Sequence, residues 1–299
     1  MSDIPDLSFL VRGIRENTIV PYLGPGALAD ARDKTTGEAI PADSEALILA
    51  MNDGKPMHPK LMYEFPRAAM DRELKRGRNA VNRFLSELYD RDSWSRAPLH
   101  DWLATVRPKY VIDINRDTQL QASYADVPHT LIRGTARIGG THNRFVIHAY
   151  DGTSYHEVED QSVNPDLPVL FKPMGSPAPD PTFIASDADY VDYITELMGG
   201  FAIPPFLKKK RQGKQYLLIG LRLTRDTERM VLSDIVYGAG APVGWALIAD
   251  ATAKEKRFCA RLGIEIIDAA AAALLTAASN VTAPAPSPTV VSSTHFRGL

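Results

Sequence analysis

Two short stretches hold the residues best suited to chemistry. The first is Gly24-Pro25-Gly26-Ala27-Leu28-Ala29, directly after the apolar run Ile19-Val20-Pro21-Tyr22-Leu23. It fits G-x-G-x-x-A after a strand, where glycine lets backbone N–H groups approach a pyrophosphate held at a helix N-terminus. The same letters equally serve a plain strand–turn–helix connection. An ordinary dinucleotide fold also wants an acid about 20 residues on, at the end of its second strand. Here Asp43 and Glu45 fall in what reads as the start of a helix, so that version fits poorly. The second stretch, VIDINRD, sets Asp113, Asn115 and Asp117 at alternating positions after an apolar run. Side chains at period two share one side of an extended segment. An asparagine there can hydrogen-bond a ribose hydroxyl or fix a water; Asx-type turns at a strand end are the competing reading.

These residues need elements to position them. Leu7, Leu10, Val11 and Ile14 repeat at helical spacing ahead of the first apolar run. Residues 44–51 read as a helix capped by Asp43 or Ser44, and 66–91 as a longer one that Gly77 interrupts. Pro98 can open another at its first position. Short runs of strand character follow: 110–114, 144–150, 168–172, 216–220, 245–249 and 264–268. Helices are expected from Ser186, with Asp189 completing a capping box, after Asp226, and over 252–263. Apolar strands separated by helices predict an α/β fold, a Rossmann-like parallel sheet of about six strands. Residues 30–105 are expected to form a mostly helical flanking module of a domain spanning 1–270. The Ala/Pro/Ser-rich stretch 271–299 is expected to be a disordered tail, with 280–299 dispensable for folding. In such a sheet ligands sit beyond the carboxyl ends of the strands. The informative positions are therefore 24–29, 113–117, 172–176, 220–226 and 249–252.

Composition narrows the classes. The chain has 299 residues, 44% hydrophobic and 23% charged, with a formal net charge of -2. That balance offers no general attraction to nucleic acid or an anionic membrane. The run Lys208-Lys209-Lys210-Arg211 reads as a solvated loop. One cysteine, Cys259, excludes a disulfide framework and a four-cysteine zinc site within the chain, and suits a reducing, cytoplasmic setting. The acidic N-terminal stretch does not read as a signal peptide, and no window approaches the ~20 apolar residues of a membrane span.

Five segments, in order from about Ile14 to Asp268, together resemble the SIR2-like family, the NAD-binding fold of sirtuins and of bacterial NAD-cleaving defence proteins. VPYLGPGAL is similar to the family's glycine loop. PLHDWLATVRPKYVIDINRDTQL resembles the segment ending in Thr-x-Asn-x-Asp. LFKPMGS resembles the one that normally carries Leu-His-Gly. IASDADYVDYI is similar to a helix start common in the shorter members, and YLLIGLRLTRD to the strand and loop written Gly-x-Ser with a following Asp. The resemblance implies NAD, or an ADP-ribose derivative, lying against Gly24, Pro25, Gly26 and Ala27. It implies Asn115 and Asp117 at the nicotinamide ribose, in catalytic positions, with Met174 and Gly175 beside them and Gly220 and Arg222 toward the adenosine half. No metal is implied, since the sirtuin zinc ribbon has no cysteines to hold it; this points to the zinc-free, bacterial defence-type branch.

The departures bear on activity. Asp113 stands for the usual Thr, Leu28 for Ser and Arg222 for the Ser of Gly-x-Ser. Met174 stands where the family carries its histidine, and a thioether cannot take a proton. The expectation is an NAD or ADP-ribose binder whose NAD hydrolysis is absent or much reduced. One alternative is an active NAD hydrolase using another base, with His148 the best candidate and His129 and His156 expected in loops. Another is a structural partner protein with a vestigial pocket. With no second module read in the sequence, action through a homo-oligomer or a partner protein is expected.

Overall fold

The computed structural model describes residues 6–90, 92–138 and 143–281. The chain opens with α1 (Ser8–Arg15) and β1 (Ile19–Leu23), then a 3-10 turn at Pro25–Leu28. Three helices follow: α2 (Ser44–Met51), α3 (Phe65–Arg76) and α4 (Arg78–Tyr89). Next come α5 (Pro98–Val106), β2 (Tyr110–Asp113), α6 (Gln119–Ser123), β3 (His129–Gly134), β4 (Phe145–Tyr150) and β5 (Tyr155–Glu157). After β6 (Val169–Lys172), a small ribbon pairs β7 (Gly175–Ser176) with β8 (Thr182–Phe183). The chain continues through α7 (Asp187–Met198), α8 (Pro205–Lys210), β9 (Gln215–Ile219) and α9 (Asp226–Ile235). It closes with β10 (Gly244–Leu247), α10 (Ala253–Leu262), β11 (Ile264–Ile267) and α11 (Ala271–Asn280).

Local chemistry explains the helix ends. The Asp43 side chain accepts from Ala46 N at 2.9 Å and caps α2. Gly77, at φ 81°, separates α3 from α4. Ser186 with Asp189, and Thr252 with Glu255, form capping boxes at the starts of α7 and α10.

The main sheet has the order β11-β10-β9-β1-β2-β6-β3-β4-β5. Neighbours from β11 to β3 run parallel; β4 is antiparallel to β3, and β5 to β4. Starting from β1, the chain lays β2 and β6 on one side, then returns to lay β9, β10 and β11 on the other. Strand order therefore reverses at β1, which opens a crevice beyond the carboxyl ends of β1, β2 and β9.

Alternating side chains feed two cores. Tyr22, Ile112, Phe171 and Leu218 point to one face, under α7, α9 and α10. Leu23, Val111, Leu170 and Leu217 point to the other, under α1, α5 and α11. A third core, with Ile48, Phe65, Val81 and Leu85, holds α2, α3 and α4 together, and Leu28, Phe183 and Ala185 tie it to the carboxyl edge of the sheet. At roughly 1.5–3 kcal/mol for each large side chain removed from water, these contacts fix the helical layer over the crevice.

The fold class is the expected one, with differences in detail. The sheet has nine strands rather than about six, and β3 and β5 are the strands that were not expected. His129 and His156 lie in β3 and β5, not in loops. Lys208, Lys209 and Lys210 form the last turn of α8 rather than a solvated loop; the Lys208 ammonium bonds Gly200 O, and Arg211 donates to Asp234 O at 2.6 Å. The glycine loop leads into a single 3-10 turn instead of an α-helix. Residues 271–280, expected to be disordered, form α11 with Leu274 and Ala278 buried. The remainder of that expected tail, 282–299, lies outside the described residues. Among the described residues, no helix is long and apolar enough to cross a membrane.

Candidate functional site

The glycine loop is built against the loop after β9. Gly26 N donates to Gly220 O at 2.8 Å, and Gly24 N to Ile219 O at 2.9 Å. A Cβ on Gly26 would sit 2.8 Å from the Gly220 Cα, and one on Gly24 would sit 2.6 Å from Leu221 Cγ. Gly220, at φ +72°, would place a Cβ 2.4 Å from Ala27 N. These glycines are glycines because two backbones touch. The amides of Gly24, Gly26, Ala27 and Ala29 all donate to main-chain carbonyls, so they make no anion cradle of the expected kind. Pro25 supplies no amide and lines the crevice with its ring.

The alternating trio diverges. Asp113 and Lys172 are wholly buried at the ends of β2 and β6 and meet at 2.6 Å. Burial pushes the Asp113 carboxyl above its usual range, and the Lys172 ammonium opposes that shift. The same carboxyl group accepts from Asn115 N at 3.0 Å and Asn115 Nδ2 at 2.9 Å. Asn115 Nδ2 also donates to Gly24 O at 2.9 Å, stitching β2 to the glycine loop. Both amide hydrogens are thereby engaged, and Oδ1 is the atom left to meet a donor. Asp117 makes a second Asx turn, its Oδ1 accepting from Gln119 N at 2.7 Å. Its Oδ2 is buried without a hydrogen-bond partner. Asn115 and Asp117 open on different spaces: Asp117 lines an adjacent cavity with Lys34, Trp94 and Arg96. Tyr89 stands between the two spaces and lines both.

The crevice itself is narrow. Pro25, Asn115, Arg116 and Met174 come from the sheet's edge. Leu47, Phe65 and Tyr89 come from the helical layer, and Tyr190, Arg225 and Glu228 from α7 and the start of α9. Met174 is buried in its wall, in the same space as Asn115. Gly175 sits at φ +79° in the β7–β8 ribbon, where a Cβ would meet Thr182 O at 1.9 Å, so its role in the chain is steric. Arg222 is held away from the crevice. Its guanidinium pairs with the buried Glu255 at 3.1 Å through two nitrogens and reaches Ala249 O.

Among the described residues, no histidine lines this wall. His148 lies 3.5 Å from both Arg133 Nη2 and Asp180 Oδ1, away from the crevice lining. Burial, then the Arg133 charge, push its pKa down to about 4. His100 is fully buried in α5 with neither ring nitrogen bonded, and burial lowers its pKa too.

Sequence reasoning missed Arg116, Tyr190, Glu64 and Glu228. Arg116 Nε donates to Ile184 O at 2.9 Å, and its guanidinium lies 5.5 Å from the Phe65 ring centre. Glu64 and Glu228 are carboxyls raised chiefly by burial, Glu228 to about 7. In the sequence Glu228 reads only as an acid in a helix's first turn, where it suits the dipole.

Taken together, the strand order and the crevice at its reversal define a Rossmann-like α/β protein. A family model for the SIR2-like domain matches residues 115–267, just over half of the chain. The chain belongs to the SIR2-like family, whose function is NAD-related in general. The match begins at Asn115, so the glycine loop lies ahead of it. No curated protein matches the chain.

Proposed function

We propose that this protein binds NAD or an ADP-ribose derivative in the crevice at the ends of β1, β2 and β9, and that NAD hydrolysis there is absent or much reduced. The observation that carries the reading is the pairing, in one narrow space at the strand-order reversal, of Asn115 with a buried Met174. The fit to a nucleotide rests on polar atoms left open in the protein. Asn115 Oδ1 is free to accept from a ribose hydroxyl or to orient a water, because its amide hydrogens are spent. Asp117 Oδ2, buried without a partner, lies on the far side of Tyr89 in the adjacent cavity, where a ligand reaching past Tyr89 would meet it with a donor. When bound, NAD supplies a glycosidic bond to a good leaving group. Breaking that bond with water calls for a proton acceptor, and Met174 offers none. General-base assistance is typically worth ~10²–10⁴ in rate, so the lack of an imidazole at position 174 slows the step. A reducing, cytoplasmic setting suits the single buried thiol, Cys259.

Thermal stabilisation tests binding. NAD or ADP-ribose at a hundred times its Kd should stabilise the fold by roughly 2.7 kcal/mol, and Asn115→Ala should weaken the effect. Millimolar ligand that leaves the melting temperature unmoved would refute the reading and favour a scaffold with a vestigial pocket. Nicotinamide release tests the second half. Met174→His should raise turnover over wild type; fast wild-type turnover would overturn the claim of weakened hydrolysis.

A further inference from the structure

The crevice contains a carboxyl group that no sequence motif marks. Glu228 sits in the first turn of α9 and lines the same space as Asn115 and Met174. Its Oε2 is buried and has no hydrogen-bond partner. A buried polar atom without a partner is costly, and this one belongs to a side chain that lines the crevice. We propose that Glu228 is the proton acceptor of this crevice, taking the place of the imidazole absent at position 174. The proposal rests on NAD, as substrate, occupying the site.

The bond between the nicotinamide nitrogen and the ribose carbon breaks, and its electron pair leaves on nitrogen, cancelling the ring's positive charge. A water oxygen bonds to the ribose carbon, and one proton of that water passes to Glu228 Oε2. Asn115 Oδ1 holds the ribose hydroxyl or the water's second hydrogen. The proton on Glu228 then returns to solvent.

The surroundings suit the task. Burial is the largest influence on Glu228 and raises its pKa to about 7; the Glu64 carboxyl, entering from the head of α3, acts in the same direction. Arg225 and Arg229, from its own segment, act against it. Tyr190 from α7 and Tyr22 from β1 face it as phenols, each with its own pKa raised chiefly by burial. Arg116, after β2, lines the same space. The result is a carboxyl group near half ionisation at neutral pH, where proton transfer is most effective. Glu64 is the weaker candidate, since it has no orphaned oxygen of this kind.

The test uses the full chain, with NAD as the probe, in wild type, Glu228→Gln and Glu228→Asp. Slow nicotinamide release in wild type should rise with pH through an apparent pKa of about 7. Glu228→Gln should lower it by ~10²-fold or more and flatten the profile, while Glu228→Asp retains part of both. Infrared difference spectra of the ligand-free protein should show a carboxyl group titrating near that pH in wild type and missing in Glu228→Gln. NAD should still raise the melting temperature of all three. Stabilisation by NAD with unchanged turnover in Glu228→Gln, or with no wild-type turnover at all, would overturn the role of Glu228. Absence of any stabilisation of wild type by NAD or ADP-ribose would instead sink the binding reading on which the role rests.

Discussion

Lys172 and Asp113 show how much of this site is held by one buried contact. Both side chains are out of water, 2.6 Å apart. Removing two charges from water costs several kcal/mol each, so the pair persists only because donors converge on it. Asp113 accepts from the Lys172 ammonium, the Asn115 amide and the Asn115 side chain, and the Asn115 side chain reaches on to Gly24 O. Lys172→Met should therefore cost roughly 3–5 kcal/mol, because it leaves an uncompensated buried carboxylate. The double variant Asp113→Thr/Lys172→Met removes both charges and should recover much of that loss. Chemical denaturation measures each; a single-variant cost below ~1 kcal/mol would show that Asp113 is already neutral in the folded protein. Burial raises the Asp113 pKa above its unfolded value, with Lys172 opposing. The folded state therefore loses stability from Asp113 as pH rises from the unfolded carboxyl range through the raised folded value, and the loss should steepen in Lys172→Met.

Among the elements, the contact between the loops after β1 and β9 has the least tolerance. Gly220 combines a positive φ with a neighbour 2.4 Å from its missing Cβ. Gly220→Ala must strain the backbone and push the Gly26–Ala27 segment aside, at a cost of roughly 1–3 kcal/mol. The melting temperature should fall in the absence of any ligand; an unchanged value would mean that the loops do not bear on each other. Gly26→Val meets the same backbone, so its failure to bind NAD would not by itself argue for a phosphate cradle. Much at this scale was legible in the sequence. Asp43, Gly77, Pro98 and Ser186 with Asp189 mark helix ends through local hydrogen bonds and φ preferences, which act over three or four residues. β3 was not legible, because HTLIRG carries His129 and Arg133 through a fully buried strand. Their partners, Tyr155 for His129 and Asp180 for Arg133, lie 26 and 47 residues away. Glu228 escaped notice for the same reason: its burial comes from α3, α7 and β1, which no local window contains. The trio Asp113, Asn115 and Asp117 was found by spacing, but the period-two geometry held only to Asp113, where β2 ends.

Across the whole molecule, the first and last described helices, α1 and α11, cover one face of the sheet together. α11 lies against α1 and α5 and buries Leu274 completely. Arg15, at the end of α1, donates to Val281 O at 2.7 Å and to Ala278 O at 3.4 Å. Alanine-rich sequence suggested disorder because its side chains offer little area each, yet small residues let helices approach closely and one leucine anchors the contact. α1 and α5 in turn precede β1 and β2, the strands that carry the glycine loop and Asn115, so this layer supports the crevice through those strands. A chain ending at Val281 should keep the melting temperature of the full protein, since the Pro, Ser and Thr content of 282–299 offers little apolar area to offset ordering entropy of about 1–2 kcal/mol per residue. A chain ending at Ala270 loses the buried Leu274 and both Arg15 contacts. Large-to-small loss at a buried leucine alone runs to about 2–5 kcal/mol, and each kcal/mol moves the midpoint of a domain this large by roughly 2–4 °C. The expected fall is therefore at least ~4 °C, with weaker NAD-dependent stabilisation at equal ligand concentration. Equal melting temperatures for the chains ending at Ala270 and Val281 would show that α11 adds nothing to the fold, and the support assigned to this layer would fall with it.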